Sequence, residues 1–245
     1  MKARTMLKAA GIGAAAAAGT AAAGYAALVV INRARYGHAE FRADDAKDSM
    51  LDRFIPNPEV SEHHEIKVNA PADVVMEAAK SQELLTSPVI RGIFRTRELV
   101  LGGEPDRRPL PSGLYDQMRA IGWAVLSERA GREVVMGAVT QPWVAAPTFR
   151  SVPPDEFLAF KEPGFVKIVW TLRVDPIDDE TSLFHSETRV CTTDVDARKK
   201  FRDYWSFVAP GVQLIRMSML RPLRRAAERA WKDSRGATLS RRHLQ

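Results

Sequence analysis

The residues able to do chemistry are few, and they lie far apart in the chain. His63 and His64 are adjacent. A histidine pair suggests a metal, but neighbours on a strand point to opposite faces and cannot readily chelate one ion, so no metal is expected. His185, Glu187 and Arg189 recur at every second position, with Arg173 on the preceding strand. That pattern fits a solvated cross-strand charge network. Acid–base work would need this face to line a cavity, and the apolar alternates Trp170, Phe184 and Val190 place the cavity on the other side. Cys191 is the single cysteine. It excludes a disulfide framework and a Cys-cluster zinc site, and it reads as a small packed hydrophobe. No Gly-rich phosphate loop, G-x-S-x-G, Ser–Lys pair or H-E-x-x-H occurs. No catalytic residue can be assigned, and no cofactor is called for.

The most suggestive stretch is Gly137-Ala-Val-Thr-Gln-Pro-Trp143. Small residues leave room for a ligand, Trp143 and Trp170 can wall it, and Thr140 or Gln141 can supply an oriented polar contact. The candidate ligand-contacting residues are Met136, Thr140, Trp143, Trp170, Phe184, Thr188, Tyr204 and Trp205. The alternative for Trp143, Tyr204 and Trp205 is ordinary core packing.

These residues are positioned by elements that the hydrophobic periods reveal. Ile66 and Val68 alternate within a strand starting near His63. Pro71 opens a helix with Val74, Val75, Ala78 and Ala79 on one side. A second helical stretch covers residues 87–101, a loop covers 102–112, and a short helical turn covers 113–120. From Gly122 the period becomes two. Strands at 122–127 and 133–140 flank the Ala130-Gly131 turn, and another strand starts near Phe157. Strands at 165–174 and 181–192 follow, separated by a turn over 175–180. One face apolar and one polar marks an antiparallel sheet. Asp194 then caps a helix of about 34 residues whose stripe runs from Ala197 through Phe201, Trp205, Val212, Ile215 and Leu223 to Ala230. Pro210 and Pro222 should kink it without ending it, because the stripe keeps phase.

The order strand, helices, antiparallel strands, long helix resembles the helix-grip fold of the SRPBCC (START-like) superfamily. The resemblance covers roughly residues 62–230. HHEIKVNAPADVVMEAA looks like the opening strand and first helix, WTLRVDP and TSLFHSETRV like the late paired strands, and the helix after Asp194 like the terminal grip helix. It implies a sheet around the last helix with an elongated apolar cavity between them. Members mostly bind hydrophobic small molecules such as lipids, sterols and polyketides, and a minority are cyclases or hydrolases.

The expected fold class is therefore α+β, a helix grip preceded by an N-terminal single transmembrane or signal-anchor helix. Residues 9–31 carry no charge across 23 positions, with Lys2, Arg4 and Lys8 before them and Arg33 and Arg35 after. About 1.5 Å per residue gives about 34 Å of helix, enough for a hydrocarbon core of roughly 30 Å. A single-pass anchor with the body exported fits best, a signal peptide cleaved to give a secreted protein comes next, and an inconsequential Ala/Gly tail remains. The expected divisions are an anchor at 1–31, a linker at 32–61, the START-like domain at 62–233 and a basic tail at 234–245. The 245 residues carry 36 basic and 30 acidic side chains, a mild excess without interleaved aromatics, which excludes a nucleic-acid partner. The functional expectation is a membrane-tethered binder of a hydrophobic small molecule, with a cyclase or hydrolase in the same cavity as the alternative.

Overall fold

The structure is a computed structural model, and it describes residues 19–20, 23–38, 49–83, 92, 95, 102 and 109–242. The expected helix at 87–101 lies almost wholly outside these residues. From residue 49 the elements run in this order: α1 Ser49–Phe54, β1 Val60–Val68, α2 Ala72–Lys80, α3 Leu114–Ala120, β2 Ala124–Arg129, β3 Glu133–Thr140, α4 Pro154–Ala159, β4 Val166–Asp178, β5 Thr181–Thr192 and α5 Val195–Arg242. The strands form one antiparallel sheet in the order β1-β5-β4-β3-β2, which leaves β1 and β2 at the edges.

Alternation decides which side chains meet α5. From β1, Val60, Glu62, His64, Ile66 and Val68 share the inner face with Phe184, Ser186, Thr188 and Val190, their partners on β5. Trp170 and Leu172 of β4 continue that face, paired with Met136 and Val134 of β3. Leu223 and Ala227 of α5 and Val75, Met76 and Ala79 of α2 complete this core. Asp194 sets the start of α5: its Oδ1 accepts from the Asp196 and Ala197 amides at 2.8 and 2.9 Å. The helix then continues through Pro210 and Pro222 for 48 residues, longer than the stripe alone indicated.

Four expectations need correction. The strand near Phe157 is a helix, α4, because Pro153-Pro154 opens it and Asp155 and Glu156 occupy the electropositive first turn. The turn over 175–180 is tighter, since β4 runs to Asp178 before β5 begins at Thr181. The segment taken as a linker includes α1, whose Leu51 and Phe54 are buried together with Ile55 just beyond it. The outer face of the sheet is also largely covered. Leu51, Phe54 and Ile55 join Phe157, Leu126, Val135, Val139 and Val169 in a second core against it. His185, Glu187 and Arg189 lie on that outer face, yet all are buried. Arg189 bonds Asp52 of α1 and Glu187, the latter at 2.7 Å. Burial pushes the Glu187 carboxyl up, but the facing His63, Arg189 and Ser61 outweigh it and hold it at about 2.

Residues 23–35 are helical and run beside α5: Tyr25 donates to the Phe207 carbonyl and Arg33 pairs with Asp203. Among the described residues no helix is long and apolar enough to cross a membrane. Of the expected anchor, residues 9–18 and 21–22 lie outside the described residues.

Candidate functional site

Among the described residues, the space between the inner face and α5 around Arg216 is nearly closed. A cavity of about 20 Å³ lies between Trp170, Leu172 and Phe184 of the sheet and Arg216, Met219 and Leu223 of α5. That volume accommodates about one water, whereas pockets for drug-sized ligands run to roughly 300–1,000 Å³. Among the described residues, the space beside Arg216 is thus a small closed cavity rather than an elongated open one.

A polar group borders this space. Trp170, 1% exposed, donates from Nε1 to Ser186 Oγ at 2.8 Å. The Arg216 guanidinium stacks over the Trp170 ring at 4.9 Å and donates to Thr188 Oγ1 at 3.1 Å. Gln213, one helical turn before Arg216, donates to Glu62 Oε1 at 2.9 Å. Burial lowers the Arg216 guanidinium to about 10, against the attraction of the Glu62 charge. Burial raises the Glu62 carboxyl, opposed by Gln213 and by Arg216. Burial also lowers His64, helped by the charges of Arg216 and His63, and its Nε2 is enclosed without a hydrogen-bond partner.

The guanidinium has few partners. Among the described residues no carboxylate lies within salt-bridge distance of Arg216, and Thr188 is its one hydrogen-bond partner. An arginine carries five donors in a fixed fork. The side chain is part-buried, and an incoming anion would give charge-assisted partners to the donors that Thr188 leaves unused.

The sequence-derived candidates divide between two ends of the helix. Trp170 and Phe184 line the small cavity, and Thr188 touches it through Arg216. Met136 is packed in the same core, opposite Trp170 in the strand register. Trp143, Tyr204 and Trp205 cluster instead around Phe201, Val166 and Val190 near the start of α5, with Trp205 buried and Trp143 and Tyr204 half-buried. Thr140, fully buried, pairs with Val166 at that same end. The small residue Gly137 does not make room for a ligand. A bulge between Val125 and Ser127 turns Leu126 to the outer face, and a Cβ on Gly137 would meet Leu126 Cδ1 at 2.3 Å and Phe157 Cε2 at 3.2 Å.

Glu62, His64, Ser186 and Arg216 were missed by sequence reasoning. The signal for the first two was available, because extending the Ile66/Val68 alternation backwards reaches His64 and then Glu62.

No protein-family model matches the chain, and no curated protein matches it. Solved structures with a similar arrangement include a conserved protein from Geobacillus kaustophilus (11% identity, TM-score 0.31, covering 71% of this chain and 97% of that one). Norcoclaurine synthase from Thalictrum flavum is another (13% identity, TM-score 0.32, 78% and 96% covered). The Zhui aromatase/cyclase from a Streptomyces species is a third (14% identity, TM-score 0.25, 69% and 94% covered). An antiparallel sheet with one long C-terminal helix across a face is the helix-grip arrangement that the sequence motifs resemble. What the site does rests on its own residues.

Proposed function

We propose that the chain binds a hydrophobic small molecule bearing one acidic group, with its apolar body against Trp170, Leu172 and Phe184 and its anion on Arg216. The observation that carries this reading is the enclosed guanidinium over Trp170 with no carboxylate partner among the described residues. Apolar surface removed from water contributes about 25 cal/mol per Å², and the charge-assisted pair supplies orientation. Occupancy of the small cavity beside Arg216, which holds about one water, requires α5 to move off the sheet around residues 216–223. Pro222 within that stretch removes one backbone hydrogen bond there and lowers the cost of such a movement.

Displacement of a fluorescent fatty acid by a long-chain fatty acid and by its matched alcohol tests the proposal. The acid should compete roughly 10–100-fold better than the alcohol, the worth of one hydrogen-bonded charge. In Arg216→Met that preference should vanish while apolar binding remains. Equal competition by acid and alcohol in the wild type, or no uptake of any apolar probe, overturns it. The competing reading, a cyclase or hydrolase in the same space, is favoured by the placement of Glu62 and His64 on the inner face beside Ser186 and Thr188. Turnover of a bound polyketide or ester substrate, lost in His64→Asn with the fold intact, would select it.

A further inference from the structure

We propose that His63, Glu65 and His185 form a divalent-metal site, suited above all to zinc, on the outer face of the sheet where β1 pairs with β5. The objection raised by adjacency applies only to His63 with His64, which point to opposite faces. Across strands the outcome differs, because the register sets Glu65 opposite His185 and His63 opposite Glu187. Glu65 Oε2 stands 3.2 Å from His63 Nε2 and 3.6 Å from His185 Nδ1. One ligand atom from each of the three residues lies within 4.8 Å of the other two. Ligands about 2.0–2.1 Å from a tetrahedral zinc are separated by about 3.3–3.4 Å, so the pairs through Glu65 are already at metal-binding spacing.

The surroundings supply a second, independent observation. His185 is 8% exposed, and neither of its ring nitrogens makes a hydrogen bond. Its Nε2 faces Asp175 Oδ2 at 3.0 Å, and His63 Nδ1 faces Glu187 Oε2 at 3.6 Å. Each imidazole thus points one nitrogen at the common centre and the other at a carboxylate. This is how metal-bound histidines are held and made more basic. Four carboxylates, those of Asp52, Glu65, Asp175 and Glu187, gather on this face; Arg173 bonds Asp175, and Arg189 bonds Glu187 and Asp52. The Glu65 side chain is 43% exposed, which gives the ion a route in and leaves a fourth position for water. Two histidines and one carboxylate with an open position suit zinc over the oxygen-seeking magnesium and calcium.

The test uses the full chain without a tag, stripped with a chelator, then titrated with zinc chloride by calorimetry and with Co²⁺ by visible absorption. One ion per chain is expected, with the absorption of tetrahedral Co²⁺ bleached by zinc. His63→Asn and His185→Asn should each weaken zinc at least about 100-fold, and Asp175→Asn about 10–100-fold. His64→Asn, on the opposite face, should leave the affinity unchanged. Should the histidine variants fail to fold by near-ultraviolet circular dichroism, Glu65→Gln, altered at an exposed position, must still weaken zinc at least tenfold. The proposal is overturned if the wild type takes up no stoichiometric ion, or if folded variants at all three ligand positions bind zinc as the wild type does.

Discussion

Replacing Arg216 by Met tests whether this charge is held for the fold or for a ligand. Burial lowers the guanidinium to about 10, well below its ordinary value, which corresponds to about 3 kcal/mol against the charged form in the folded state. Removing the charge relieves that cost. It also removes a charged hydrogen bond to Thr188, worth about 1.5–3 kcal/mol, and a stacking contact on Trp170 worth about 0.5–2 kcal/mol. The opposing contributions nearly cancel, and the methionine occupies much of the apolar stem's volume. The variant should therefore unfold within about 1 kcal/mol of the wild type, a shift below roughly 0.5 M in the urea midpoint at a slope near 2 kcal/mol per M. A structural ion pair behaves otherwise: removing one partner typically costs about 3–5 kcal/mol. Urea melts followed by far- and near-ultraviolet circular dichroism separate the two cases. A loss above about 3 kcal/mol would refute the reasoning and make Arg216 part of the scaffold.

Further outcomes follow from the cores and the chain ends. Glu187→Gln should cost about 3–5 kcal/mol, because buried Arg189 loses a charged partner; apolar probe binding by the folded protein should not change, and thermal melts beside probe titrations check both. Gly137→Ala should destabilise by about 1–3 kcal/mol through overpacking against Leu126 and Phe157, read as a lower urea midpoint. Burial pushes the Cys191 thiol up to about 11, only partly offset by the Lys167 charge, so a thiol reagent at pH 8 should label it slowly until urea is added. The same thiol is neutral when folded and ionises earlier when unfolded, so its stabilising contribution should be lost as pH rises from about 9 to about 11. We further propose that residues 9–31 tether an exported body; a reporter fused after Gln245 and active only outside the cytoplasm should give signal, and strong signal from a cytoplasm-only reporter would reverse the orientation.

The hydrophobic period made the central sheet legible because β3, β4 and β5 each present a clean inner row. It gave a misleading account of the outer row. Polar alternates such as His185, Glu187 and Arg189 are the usual mark of solvent, and nothing local announces that a six-residue helix will cover them. That helix, Ser49–Phe54, is too short to show a repeat, and its partners, Phe157 and Val169 in the core and Arg189 at Asp52, lie more than 100 residues away. Phe157 and Phe160 suggested a strand by composition, but the paired prolines before them decided for a helix. Arg216 was hidden among the other basic residues of the last helix, since only the position of the sheet beneath it distinguishes an inward arginine from an exposed one. Trp143, Tyr204 and Trp205 have types that suit a ligand wall, and the fold gathers them around Phe201 at the start of α5, away from Arg216, which no local pattern announces.

Four consecutive residues of β1 carry two unrelated chemistries: Glu62 and His64 look towards α5, while His63 and Glu65 look away from it. Parity alone keeps them apart, because strand side chains repeat every two residues. Inserting or deleting one residue between the β1 start and Ile66 would exchange the two sets and send Val60 out towards Asp52. Substitutions at single positions here are graded perturbations, whereas a shift in reading of the strand is all or nothing. Across related chains, length between Val60 and Val68 should therefore be preserved more strictly than identity, and an alignment gap placed inside β1 would signal an error in the alignment.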